Sequence, residues 1–333
     1  MTPRERVLAA VEHREPDVVP YQVSFTQPAF ARMVDATGDP DFAAKIGNHL
    51  AVAEAEPPDA WTEVRPGYMQ DEFGVIWNRT VDPDIGVPYN RVVTEENVSR
   101  VAFPDPDAAG RCDSVAALAR ETQRATMVAL GFSLFERAWT LTGMTELLVA
   151  MATGDPLADV LLDRILEWNL AVLDRVLTHD FDIMHFGDDW GQQHGLIMGP
   201  GHWRRFIRPR VARMYAACRD AGKIVSIHSC GDIKEILPDL VEIGVNVFNP
   251  FQPEVIDPRW AKREFGDRLC FWGGVSTQKT LPFGTPEDVV AEVTGLLRDV
   301  GAGGGYICAP AHAIPGDAPA ENMQALIETL KNQ

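Results

Sequence analysis

Several things are scarce or missing in this sequence, and each shortage removes a class of protein. No run approaches the 18 or so uninterrupted apolar residues of a membrane span. The opening MTPRERVLAAVEHREPD is charged throughout and lacks the apolar stretch and small-residue cleavage site of a secretory signal, so a cytoplasmic location is expected. Cysteine is sparse: Cys112, Cys218, Cys230, Cys270 and Cys308 are odd in number and widely spaced, which argues against a disulfide framework and for free thiols, one or two of them available as ligands.

Positive charge is short as well. Lys and Arg total 30 against 48 Asp and Glu, a net charge of -18 with no basic run to offset it. Such a field repels nucleic-acid phosphates and anionic membrane surfaces, so the expected partner is a small molecule, with no nucleic acid and no membrane. A polyanionic substrate would need arginines gathered locally. The dinucleotide fingerprint Gly-x-Gly-x-x-Gly, the phosphate loop Gly-x-x-x-x-Gly-Lys-Ser/Thr and the nucleophile elbow Gly-x-Ser-x-Gly are all missing, which removes the visible machinery of phosphoryl transfer and serine hydrolysis.

What remains is a chain of 333 residues, 46% hydrophobic and 23% charged, the balance of a globular enzyme with a sizeable core. Short β-rich runs alternate with amphipathic helical patterns, the signature of repeated βα units. Strands are expected at Val18–Phe25, Thr126–Leu130, Ile183–Gly187, Lys223–His228, Val245–Asn249, Leu269–Gly273 and Gly305–Ala309, with an eighth near Asp59–Val64. Helices are expected at Pro156–Leu177, Pro200–Ala221, Ile233–Ile243 and Pro286–Val300, two of them opened by capping signals at Asp155-Pro156 and Thr285-Pro286. The predicted fold is a single (β/α)8 TIM barrel spanning residues 1–333, with an excursion over the barrel mouth at about 68–107. Its active site would lie at the C-terminal ends of the strands.

At one such end the run Lys223–His228 stops at His228, followed by Ser229, Cys230 and Gly231. Alternation turns His228 and Cys230 to the same side, and an imidazole with a thiolate suits Zn²⁺. Most such pairs in proteins are a satisfied core histidine and a small buried thiol. Convergence changes the balance, because the last strand delivers Cys308 and His312 to the same rim. Plain packing is the better reading for Cys308, which ranks below His312 as a ligand, and function is the better reading for His312. Three protein ligands would leave a fourth position open, as catalytic zinc sites do. Beyond the strand Ile183–Gly187 stand Asp188 and Asp189, of which one is expected to act on substrate or metal and the other to cap a loop or helix. Asp71, Glu136, Trp190, Asn249 and Gln278 are candidate substrate contacts at the rim, with Arg137 and Gln252 in similar places.

Six segments, taken in order, resemble the uroporphyrinogen decarboxylase superfamily, which also includes zinc- and cobalamin-dependent methyltransferases. They are Arg4–Pro20 (RERVLAAVEHREPDVVP), Asp71–Trp77 (DEFGVIW), Phe135–Trp139 (FERAW), Gly187–Gly191 (GDDWG), His228–Gly231 (HSCG) and Pro319–Asn322 (PAEN). The resemblance implies a barrel with a deep cleft and suggests a homodimer. Decarboxylases of the superfamily carry an Arg-Gln-Ala-Gly-Arg-type segment that grips porphyrin carboxylates, whereas Tyr21–Pro28 here reads YQVSFTQP, without arginine. The methyltransferase branch uses His-x-Cys where this chain has His228 and Cys230. Its third ligand is a cysteine at the position of His312, so the set here would be two nitrogens and one sulfur.

The resemblance therefore implies methyl transfer between a zinc-activated thiol, or a similar acceptor, and a methylcobamide. The cobamide would sit on a separate corrinoid protein, since no Asp-x-His-x-x-Gly motif for binding it occurs in this chain. Catalytic roles would fall to Asp188, Asp189 and His312. Two rivals are a metal-independent decarboxylase of a smaller acid, using Asp71 or Asp188 together with His312, and a barrel that only binds a tetrapyrrole or corrinoid.

Overall fold

A computed structural model describes residues 1–333. The chain folds as an α/β protein around a curled sheet of seven parallel strands: β1 (Leu50–Glu54), β2 (Ala125–Leu130), β3 (Ile183–Gly187), β4 (Ile224–His228), β5 (Val247–Phe251), β6 (Cys270–Val275) and β7 (Tyr306–Pro310). They pair in that order, each beside the next, so all seven C-terminal ends lie on one face. No helix is long and apolar enough to cross a membrane.

Six of the seven strands follow the sequence expectation to within about two residues. The first does not. Leu50–Glu54 (LAVAE) is alanine-rich and low in β-branched residues, which hid it. The expected strand near Asp59–Val64 belongs elsewhere: Trp61–Arg65 pairs antiparallel with Tyr68–Asp71 in a separate four-stranded sheet that continues through Ile76–Asn78 and Val87–Pro88.

Val18–Phe25 is likewise not a regular strand. It lies between the two edges of the parallel sheet and touches both. Tyr21 bridges Cys308 and Phe25 bridges Ile314, while the His49 N–H donates to the Tyr21 carbonyl. Side-chain amides replace the rest of the ladder: Asn48 exchanges two hydrogen bonds with the Val23 backbone, and Gln22 Oε1 accepts from the Leu50 N–H. An amide can satisfy a strand's polar groups without matching its register.

Local chemistry explains the helix boundaries. Thr2 and Glu5 form a capping box at Pro3–Val11, as do Thr285 and Asp288 at Pro286–Asp299, and Asp155 caps Pro156–Val176. The pattern Pro200–Ala221 breaks into Gly199–His202, a π-turn at Trp203–Ile207 and a helix at Arg208–Asp220. Pro209 has no N–H to continue the ladder and crowds the carbonyl four residues back, and the wider π-turn absorbs both problems. Pro238 similarly confines the expected Ile233–Ile243 helix to Leu237–Glu242, preceded by one turn of 3₁₀ helix.

Strand parity sorts the core. Side chains such as Leu50, Met127, Ile183, Val247, Cys270 and Ile307 point inward and meet Val7 and Val11 of the first helix, which plugs the N-terminal end of the sheet. Outward side chains, Cys308 among them, join a larger cluster under the surrounding helices. The interior is thus closed at one end and open at the C-terminal end, where chemistry is possible.

Asp71, expected among the substrate contacts, ties the small sheet to the helix Phe135–Thr142. Its Oδ1 accepts from the N–H groups of Phe73 and Val75, and its Oδ2 from Trp77 Nε1 (3.2 Å) and Arg137 Nη1 (2.6 Å). Both partners of this ion pair are nearly buried, and the Arg137 guanidinium also lies over the Phe73 ring at 4.2 Å. Removing one partner strands the other in low dielectric. Asp71→Ala should therefore cost about 3–5 kcal/mol of stability in urea unfolding, and an unchanged midpoint would show that the pair is not buried as described.

Candidate active site

His228 closes β4 and pairs in register with Asn249 of β5. The Asn249 amide donates from Nδ2 to the Trp272 carbonyl (3.1 Å), which leaves Oδ1 facing His228 Nδ1 at 2.6 Å. An amide oxygen can only accept, so Nδ1 carries the proton and Nε2 presents a lone pair. That lone pair points at the Cys230 Sγ, 3.4 Å away.

Cys230 is held from both sides of its turn. Asp189 Oδ1 accepts the Cys230 N–H at 2.7 Å and lies 3.7 Å from His228 Nε2, while Gln252 Oε1 accepts the next N–H, that of Gly231. The loops after β3 and β4 meet glycine to glycine. A Cβ on Gly191 would stand 2.5 Å from the Cys230 carbonyl oxygen, and Gly231 adopts φ +83°. Neither position tolerates a side chain without moving the thiol.

His312, two residues beyond β7, brings its ring to 5.4 Å from that of His228 at a steep angle. One donor atom each from His228, Cys230 and His312 lie within 4.8 Å of one another. In a tetrahedral zinc site neighbouring N and S donors stand roughly 3.3–3.8 Å apart. The His228–Cys230 spacing already fits, and the remaining gap is within the reach of a rotation of the exposed His312 ring.

The electrostatics follow from the enclosure. Burial pushes the Cys230 thiol well above its ordinary range, and Asp189 adds to the shift. His312 is reached by water yet walled in by protein; desolvation lowers its pKa, and His228 pushes the same way. Deeper within the curled sheet His185, bonded through Nδ1 to Ser226 Oγ at 2.8 Å, is held neutral by burial with a pKa of about 3. Nothing in the sequence pattern singled it out.

Glu136 faces the cluster from the start of the helix Phe135–Thr142, and its pKa is raised well above 4.5 by burial, then by Asp189 and Asp188. Its carboxyl therefore holds its proton more tightly than an ordinary glutamate.

Other expected residues have structural duties. Asp188 is buried, and its two oxygens accept from the N–H groups of Phe135 (3.0 Å) and Glu136 (2.7 Å) and from Trp190 Nε1 (2.8 Å). It anchors the first turn of that helix from a neighbouring loop, and burial lifts its carboxyl to about 6. Its hydrogen bonds serve the scaffold, and Asp189 is the member of the pair whose carboxylate lies beside His228 and Cys230. Trp190, expected as a substrate contact, has no exposed surface and packs on Trp203 at 5.3 Å, inside the core. Cys308 is fully buried because its place in β7 turns it outward, away from the cluster, and burial raises its thiol to about 12. Gln278 is exposed and makes no side-chain hydrogen bond. Asn249 acts on His228 rather than on open space.

Residues 79–333 match the uroporphyrinogen decarboxylase (URO-D) family. The chain belongs to that family. Among curated members, the uroporphyrinogen decarboxylase of Coxiella burnetii (strain RSA 493 / Nine Mile phase I) is 24% identical over 175 residues, 52% of this chain and 46% of that protein. The one from Chlorobium luteolum is 28% identical over 131 residues, 38% of this chain and 35% of that protein. The match thus spans less than half the length of these URO-D relatives. Among solved structures, a methyltransferase from Methanosarcina mazei superposes with a TM-score of 0.71 at 18% identity, covering 99% of this chain and 98% of that one, a likeness of fold.

Deleting the Asp188 side chain would leave three buried donors unpaired. Asp188→Ala should lower the melting temperature, by a loss on the order of 2–4 kcal/mol, and a variant with wild-type stability would return Asp188 to the list of catalytic candidates.

Proposed function

We propose that this URO-D family member is a methyltransferase in which His228, Cys230 and His312 hold a zinc ion that activates a thiol or similar acceptor. The methyl group would be exchanged with a methylcobamide presented by a separate corrinoid protein. The observation that carries the reading is the convergence of three N and S donors, from the ends of β4 and β7, on one point at the open end of the sheet. A zinc ion there supplies Lewis acidity, lowering the pKa of a bound thiol so that a thiolate exists at neutral pH.

The residues around it have matching tasks. Asn249 fixes the His228 tautomer and aims Nε2, the arrangement by which a neighbouring group sharpens a ligand. Asp189 holds the Cys230 backbone, and its carboxylate offsets positive charge gathered at the cluster. Glu136, whose carboxyl is raised by burial and by Asp189 and Asp188, would donate a hydrogen bond to an acceptor in the cleft when it carries its proton. The thiol of Cys230 holds its proton tightly, so a cation must displace that proton to bind.

The rival decarboxylase reading needs a free carboxylate at Asp71 or Asp188 to stabilise a protonated intermediate. Both are committed to structural donors, which weighs against it. The absence of arginine from Tyr21–Pro28 weighs against an octa-anionic porphyrinogen in particular.

Chelator-free protein should carry one zinc per chain by elemental analysis, and Cys230→Ala should lose it. Asn249→Ala should weaken zinc affinity by about 10–100-fold while keeping all three ligands. A metal-free protein that turns over an organic acid would overturn the transferase reading in favour of decarboxylation.

A further inference from the structure

A second feature lies at the same open end of the sheet as the metal-type cluster. A cavity of about 320 Å³ opens at the C-terminal ends of β1 and β2, and its lining includes Glu54, Glu56, Trp61, Arg79, Asp84 and Phe132. Two ion pairs in its wall are already closed: Glu72 with Arg111, and Asp71 with Arg137. The charges that remain have no ionic partner. Glu54 makes no side-chain hydrogen bond; Glu56 accepts only from Trp61 Nε1 (3.2 Å), and Asp84 accepts from the Gln27 N–H (2.8 Å). The Arg79 guanidinium lies over the Trp61 ring at 4.7 Å, and its Nε is buried without a partner.

One indole therefore stands between opposite charges that do not pair. Its N–H edge holds Glu56 and its face holds Arg79. Unpaired charges of opposite sign in one aromatic-walled cavity are complementary to a molecule carrying both signs. The carboxylates outnumber the guanidinium, so the cationic end of that molecule makes the larger contribution. Glu56 is reached by water but walled in; burial raises its pKa, and repulsion from Glu54 raises it further, a strain that a cation would relieve. The net charge of -18 draws cations toward the protein as a whole.

We propose that this cavity binds a small zwitterion, an ammonium carboxylate whose cationic nitrogen sits against Glu54 and Glu56 and whose carboxylate meets Arg79. This deepens the transferase reading, on which naming the occupant a substrate depends, because the cavity and the three-donor cluster share the open end of one sheet. Binding itself does not require the metal.

The probes are glycine betaine, its cation tetramethylammonium, and its carbon isostere 3,3-dimethylbutanoate, which keeps the carboxylate and loses the positive charge. Isothermal titration should show saturable betaine binding at least about tenfold tighter than the isostere. Glu56→Gln should weaken betaine and tetramethylammonium alike, by about fivefold to tenfold, whereas Arg79→Met, which keeps the stem over Trp61, should weaken betaine and spare tetramethylammonium. Circular dichroism checks that both variants fold. Equal affinity for betaine and its isostere, no saturable betaine binding, or variants with unchanged affinity would each overturn the proposal. Repeating the betaine titration on Cys230→Ala separates the two readings: retained binding supports the cavity whatever happens to the metal assignment, and lost binding overturns the claim that the cavity acts without the cluster.

Discussion

The hydrogen bond between Asn249 Oδ1 and His228 Nδ1 is the contact on which the site depends. It exists because β4 and β5 are parallel neighbours in register at their C-terminal ends, and because the Trp272 carbonyl of β6 fixes which end of the amide faces the imidazole. Three adjacent strands thus set the protonation of one ring. A histidine with Nδ1 protonated can offer only Nε2, and here that atom already faces a thiol. If the amide were reversed, the ring would present a proton where the cluster needs a lone pair.

The two loops that follow β3 and β4 supply the rest of the precision through backbone contact. Gly191 and Gly231 let the loops touch, and the consecutive acids after β3 divide the work between them. Asp188 faces inward to the protein and secures the first turn of the helix that carries Glu136; Asp189 faces the cleft and secures Cys230. Adjacent residues on an extended chain point in opposite directions, so one dipeptide can serve both the scaffold and the site.

Much of this was legible in the sequence. The parallel strands were visible wherever β-branched and aromatic residues dominate, as in Ile183–Gly187, and obscured where alanine does, as in Leu50–Glu54. The pairing of His228 with Cys230 followed from period-two alternation, and the demotion of Cys308 agrees with its outward place in β7. Asp188 and Asp189 could be flagged as a pair but not told apart, since their roles depend on a helix that arrives from residue 135. Trp190 and Asp71 were expected among the rim residues, yet their hydrogen bonds run into the protein. The cavity of Glu54, Glu56 and Arg79 was invisible: its acids depend on a strand that the sequence concealed, and its arginine comes from the small antiparallel sheet.

Charge gives the open end its chemical character. Carboxylates crowd it, the arginines that would welcome a polyanion are absent from Tyr21–Pro28, and burial works against a thiolate at Cys230 and against an imidazolium at His312. X-ray absorption at the zinc K-edge of chelator-free protein tests the central claim most directly. The account predicts one sulfur at about 2.3 Å and two imidazole nitrogens at about 2.0–2.1 Å, with the sulfur shell lost in Cys230→Ala. A zinc environment made only of oxygen and nitrogen in the wild-type protein would contradict it.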